Sequence, residues 1–279
     1  MKKINDNLNY FNTLSDFIFS LKTNEPLKIR NNSSVTNSYG FSQTNSINEA
    51  FELLEKKDTS IFDKKELDKL ISKNYDTKIT KNKYENSVVG FIPNVPNFCL
   101  GTPNTMITIK QDIKKVKIIN IVINSCVGGG INKNSIQKKF SEILNDIILL
   151  EKKGYRVNIY LLIGTINGNT ENTLKYNLGI VKVKKDSEPI DLKKLVFPLV
   201  HPSFLRRFIF RYLETFGTND FTYSGYGRPL FINRDDFNEK QHLKKEDTIY
   251  NEILKELHLD DNTKYISMYN YDSEWTKNL

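Results

Sequence analysis

The chain has 279 residues, with 41 Lys and Arg against 33 Asp and Glu, so it carries a formal charge of +8 and is long enough to bury a full core. Two cysteines, Cys99 and Cys126, are too few for a disulfide scaffold and suit a reducing compartment. No apolar run approaches the roughly 20 residues of a membrane helix, and Met1 to Asn12 lacks an apolar signal region, so the expectation is an intracellular protein with no membrane partner.

From the N-terminus, Leu8, Phe11, Leu14, Phe17, Ile18 and Leu21 are spaced for an amphipathic helix, with Asp6 near its start and Pro26 closing it. Asn31 to Ser46, rich in Asn, Ser and Thr, reads as a loop. Ser46 and Glu49 form a capping-box pattern ahead of Ala50, Phe51, Leu53 and Leu54. A further polar helix would turn Phe62, Leu67, Leu70 and Ile71 inward. Val88 to Met106 holds three prolines and two glycines, which exclude a regular helix and predict an extended path with Phe91, Val95, Phe98 and Leu100 packed down. Thr105 to Lys110 alternates polar and apolar and suits an edge strand.

Next comes the stretch around which the chain is organised. Ile118, Ile119, Ile121, Val122 and Ile123 form a nearly continuous apolar run that suits a strand covered on both faces. Asn124 to Gly130 follows as a glycine-rich loop. Asn134 with Gln137 resembles a capping box, and Ile136, Phe140, Ile143, Leu144, Ile147 and Leu150 repeat at helical spacing. Gly154 is placed to cap that helix, and Val157 to Ile163 makes a second buried strand, parallel to the first through a right-handed crossover. Leu178 to Lys184 reads as another strand with one wet face. Pro202 starts a helix, Tyr223 to Pro229 is a loop, and Ile249, Ile253, Leu254 and Leu257 mark a last helix before an aromatic tail from Lys264 to Leu279.

The predicted class is α/β, a mostly parallel central sheet flanked by helices, Rossmann-like or, as the resemblance given below implies, von Willebrand A-like. An N-terminal helical region over 1–87 would pack on an α/β core with C-terminal helices over 88–279. In such sheets ligands bind beyond the strand C-terminal ends, which makes Asn124, Ser125, Cys126, Gly128, Gly129 and Gly130 the default site, reinforced by Lys133. Two readings stay open for the glycines: exposed amides that hold an anion, or a tight strand-to-helix turn. Neither GxxxxGK[ST] nor GxGxxG is present. Cys126 is either a reactive thiol or a small buried hydrophobe. His201 is either a base or a packing residue. Cys99, Cys126, His201, His242 and His258 lack paired spacing, so no metal and no cofactor is predicted. Arg206, Arg207 and Arg211 form the best polar cluster. Arg207 and Arg211 could jointly grip a carboxylate or phosphate, or pair internally with Glu214 or Asp220.

The strand, loop and helix around Asn124 resemble a von Willebrand factor A domain, whose metal-binding DxSxS would fall on Asn124, Cys126 and Gly128. The resemblance implies that fold without its metal. A wider similarity is to an uncharacterised family carried by tailed bacteriophages. It rests on Gly90, Pro93, Val95, Pro96, Gly101, Pro103 and Met106, on Leu150 to Val157, and on His201 to Phe210. It implies a phage or mobile-element source, in the host cytoplasm or virion-associated, and brings no activity. The functional expectation is a non-enzymatic module that binds a phage or host protein through the loop and the arginine helix. One alternative is nucleic acid, with Lys133, Lys138, Lys139 and the three arginines on phosphates. A weaker one is a phosphate-transfer or hydrolytic enzyme using the glycine loop, with Asp191 or Asp220 brought in.

Overall fold

A computed structural model describes residues 2–5, 8–26, 33–36, 39–61, 83–110, 117–128, 131–167, 175–217, 251, 253–255, 257 and 263–267. In chain order its elements are β1 (Lys2–Asn5), β2 (Leu8–Phe11), α1 (Leu14–Thr23), α2 (Ser33–Thr36), α3 (Tyr39–Ser42), α4 (Ile47–Glu55), β3 (Lys83–Ser87), β4 (Ile92–Pro93), α5 (Val95–Cys99) and β5 (Met106–Lys110). They continue with β6 (Ile118–Asn124), α6 (Lys133–Lys152), β7 (Arg156–Asn167), β8 (Lys175–Lys184), α7 (Leu192–Val200), a π-helical turn (Phe204–Ile209), α8 (Phe210–Phe216) and β9 (Lys264–Ser267).

The main sheet has the order β1-β2-β8-β7-β6-β9. Its β2/β8, β7/β6 and β6/β9 pairs are parallel, and β1/β2 and β8/β7 are antiparallel. This is a Rossmann-like α/β architecture, a mostly parallel sheet flanked by helices. The expected crossover holds: Ile118 to Asn124 registers in parallel with Arg156 to Leu162, with α6 between them. The stripe on α6 is buried at every predicted position. Its start lies two residues earlier than the capping-box pattern suggested, because Asn132, whose Oδ1 accepts from the Asn134 amide at 2.9 Å, is the cap. Its end follows the prediction. Gly154 adopts φ 91°, which frees its amide to reach the Glu151 carbonyl and the Tyr155 amide to reach that of Leu150.

Several assignments change, among them Asn31 to Ser46, expected as a loop, which holds the one-turn helices α2 and α3. Leu8 and Phe11 belong to a strand; the helix starts only at Leu14, where the Thr13 hydroxyl accepts from the Asp16 amide. β8 is covered on both faces, with only Lys182 half-buried between Leu178 and Lys184, because β2 and β7 flank it and α1 and α8 lie over it. Tyr265 and Ile266 of the supposed tail form β9, paired with β6. The helix expected over Phe62 to Ile71, the loop at Tyr223 to Pro229 and Ile249 lie outside the described residues.

The core packs on aromatic rings. Phe11 meets Phe17 edge-on at 5.1 Å and Tyr212 at 6.2 Å, and Phe51 meets Phe208 at 4.9 Å. These contacts join β2, α1, α4, the π turn and α8, each pair adding about 0.5–1.5 kcal/mol beyond area burial. Gly179 of β8 is small by necessity, since a Cβ there would lie 2.9 Å from the Tyr212 ring. Among the described residues, no helix is long and apolar enough to cross a membrane.

A second, smaller sheet has the order β3-β5-β4. Here β5 is the central strand and not the expected edge, paired with β3 on one side and β4 on the other. A one-turn helix, α5, does form in the proline-rich stretch; Pro96 sits in its first turn and Asn94 caps it through the Asn97 amide.

Candidate partner-binding site

The loop after β6 is built from the strand's last residue outward. The Asn124 side chain accepts from the Cys126 amide at 3.0 Å and donates to the Tyr265 hydroxyl at 2.9 Å, tying the loop to β9. The Cys126 thiol donates to the Gly164 carbonyl at 3.1 Å and accepts from the Gly164 amide at 3.2 Å, so it is a buried cross-strand link. Asn124, Ser125 and Cys126 are all buried, and the expected open rim is absent at these positions. Gly128 is half-buried, with its carbonyl accepting from Ile131; Gly129 and Gly130 lie outside the described residues.

Residues 33–36 and 39–46 lie across this end of the molecule as a strap, and the predicted cationic residues hold it there. Lys133 donates to the Gly40 carbonyl at 2.8 Å, and Gln137 to Gln43 at 3.1 Å. The Arg206 guanidinium lies 4.3 Å from the centre of the Phe41 ring. Arg207 is fully buried and places every nitrogen in the strap: Nε on the Thr44 hydroxyl, Nη1 on the Ser34 and Val35 carbonyls at 2.9 Å each, and Nη2 on Ser42 Oγ and on the Thr44 carbonyl at 2.7 Å. Glu214 accepts from the Ser34 amide at 2.9 Å and from its hydroxyl. Arg207 therefore does not share a ligand with Arg211, because backbone carbonyls already occupy its fork. The π turn, which widens the helix at Phe204 to Ile209, carries both Arg206 and Arg207 into these contacts.

Ser125 and His201 come together in a way their sequence separation hides. Both line a cavity of about 10 Å³ with Ile136, Phe140, Phe204 and Leu205, room for at most one water. His201 stacks on Phe197 at 4.5 Å, and its Nδ1 accepts from the Ser203 amide at 3.1 Å. Burial pushes the imidazole down to about 4, with Asp58 opposing only in part. A neutral ring accepting at Nδ1 carries its proton at Nε2, which makes that nitrogen a donor and unable to take a proton from Ser125. The pair has the residues of a nucleophile and base with the tautomer reversed. Among the described residues no three His, Cys, Asp or Glu side chains gather in a metal-holding group.

What the sequence hides altogether is the surface of the β3-β5-β4 lobe. From Val88 to Ile109 the chain has no Asp, Glu, Lys, Arg or His, although 27% of all residues are charged. None of residues 84–109 is buried. Val89 is 78% exposed, Leu100 76% and Phe98 71%, with Val88, Phe91, Ile92 and Val95 also exposed. The expectation that Phe91, Val95, Phe98 and Leu100 pack down is overturned, because the short hairpin and single turn of helix leave them no facing layer. An apolar patch of this kind is the signature of a surface that another molecule covers.

The chain thus combines a Rossmann-like sheet, closed at its strand ends by an arginine-held strap, with an open lobe whose segment from Val88 to Ile109 carries no charge. It belongs to the family described as Domain of unknown function (DUF7192), which matches residues 2–264 and so takes in both sheets as far as the first residue of β9. No curated protein and no solved structure matches the chain.

Proposed function

We propose that the protein is a non-enzymatic protein-binding module whose contact surface is the β3-β5-β4 lobe, presented by a rigid α/β body. The observation that carries this reading is the run of exposed apolar side chains from Val88 to Leu100 in a segment without charge. Interface cores are depleted in charge, and this segment carries none. The absence of cations from Val88 to Ile109 counts against a phosphate backbone as the occupant of this segment. The basic set once assigned to phosphates is also dispersed, with Lys133, Arg206 and Arg207 engaged by the strap. The resemblance of His201 to Phe210 and of the Gly90 to Met106 block to a tailed-phage family supports a role in assembly or host takeover.

The test is affinity capture from source cells after nuclease treatment, comparing the native chain with a Val89→Asp, Phe98→Asp variant. A defined protein retained by the first and lost by the second is expected. The same proteins on both, or a signal that nuclease removes, would overturn the reading.

A further inference from the structure

A groove of about 620 Å³ lies between α1, α4 and α8, lined by Leu21, Ile47 and Phe51 with Lys22, Asn48, Glu52, Glu55 and Arg211. Its size falls in the range of small-molecule sites, and Leu21, Ile47 and Phe51 give it one apolar side in an otherwise polar lining. Among the described residues, the charges of its lining are matched in pairs except at Arg211. Lys22 is held by Glu55 and lies 5.0 Å from the centre of the Phe51 ring. Glu52 holds Lys56 at 3.2 Å. Glu214, the acid nearest to Arg211 in sequence, directs both carboxylate oxygens at Ser34. Among the described residues Arg211 forms no side-chain hydrogen bond or ion pair; its Nε is enclosed by protein without an acceptor, so a ligand in the groove would meet the Nη nitrogens. Burial pulls its guanidinium below the usual arginine value, and Glu214 offsets this only in part. A guanidinium presents a planar fork that matches a carboxylate, and a buried donor left unpaired is costly.

We propose that this groove binds a small apolar molecule ending in a carboxylate, its apolar body against Leu21, Ile47 and Phe51 and its carboxylate on Arg211. The charge pattern favours an anion over a cation or a neutral ligand, since among the described residues Arg211 is the charged group of the lining without an ion pair. Leu21, Ile47 and Phe51 favour a carboxylate with a hydrophobic body over bare phosphate. This site is independent of the lobe, and either can fail without the other.

The experiment is titration calorimetry on the full chain with 4-phenylbutanoate, with 4-phenylbutan-1-ol and inorganic phosphate as the other arms. Binding of the carboxylate at least tenfold tighter than either control is expected, with a tenfold or greater loss in Arg211→Gln and a smaller loss in Arg211→Lys. In the ligand-free state Arg211→Gln should melt at or above the native temperature, because it removes an unpaired donor. A structural arginine would instead lower the melting temperature. Equal binding by the alcohol or by phosphate, binding unchanged in Arg211→Gln, no binding of the carboxylate, or a lowered melting temperature would each overturn the proposal.

Discussion

The two sheets of this protein are built by opposite rules. In the main sheet the middle strands are enclosed: Ile121, Ile123, Ile159, Leu161, Ile163, Leu178 and Ile180 have almost no exposed surface. In the small sheet none of residues 84–109 is buried, although Val88 to Ile109 is rich in apolar residues. The difference is one of layers, because a strand is buried by what packs on it, and among the described residues the helices lie over the main sheet. What the contrast teaches is that hydrophobicity in a sequence reports a need for cover without saying whether the same chain supplies it.

The contrast can be broken first at Arg207. Arg207→Met should cost about 3–5 kcal/mol in urea unfolding, since it strands the carbonyls of Ser34, Val35 and Thr44 in a buried place. A loss below about 1 kcal/mol would mean that the strap is not fixed by this side chain. Phe140→Ala on α6 should cost about 3–5 kcal/mol by leaving a cavity, while Phe98→Ser on the lobe should change stability by less than about 0.5 kcal/mol. Comparable losses at the two positions would erase the distinction between body and lobe.

The next effect is a pH dependence. His201 titrates near 4 in the folded chain and near its ordinary 6.5 when unfolded, so between these values the unfolded state binds more protons. The stability it contributes is therefore complete above pH 6.5 and declines as pH falls toward 4, by an amount on the order of 3 kcal/mol. His201→Phe should flatten this part of the pH profile of unfolding; an unchanged slope would contradict the burial of the neutral ring. The smallest effect concerns the thiols. Cys99 is exposed and Cys126 buried, so iodoacetamide should modify Cys99 in the native protein without shifting its melting temperature and reach Cys126 only on unfolding.

The β6-α6-β7 unit was legible because three local signals agree: a continuous apolar run, a helical stripe from Ile136 to Leu150, and a glycine where positive φ is required. The N-terminus misled because Leu8 and Phe11 continue the three-residue spacing of the helix behind them. Thr13, a capping residue, was the sign that a helix starts later. β9 carried no signal of its own, since a four-residue strand is specified by its neighbour β6 rather than by its pattern. Of the site, the arginine cluster and the Asn124 loop were visible as residue types. The carbonyls that engage Arg207 come from far upstream, and no spacing rule connects Ser34 or Thr44 to it. The lobe was visible as composition, but its exposure depends on which layers exist, which only the fold decides.

The proposed partner would meet the apolar face between Val88 and Ile109, and not the basic surface of the body. A photo-crosslinking amino acid placed at Phe98, and in a parallel sample at the exposed Lys138 on α6, tests this directly in source cells. A discrete protein adduct from position 98 with none from 138 is the predicted result. Adducts from 138 alone, or nucleic acid joined at that position, would contradict it.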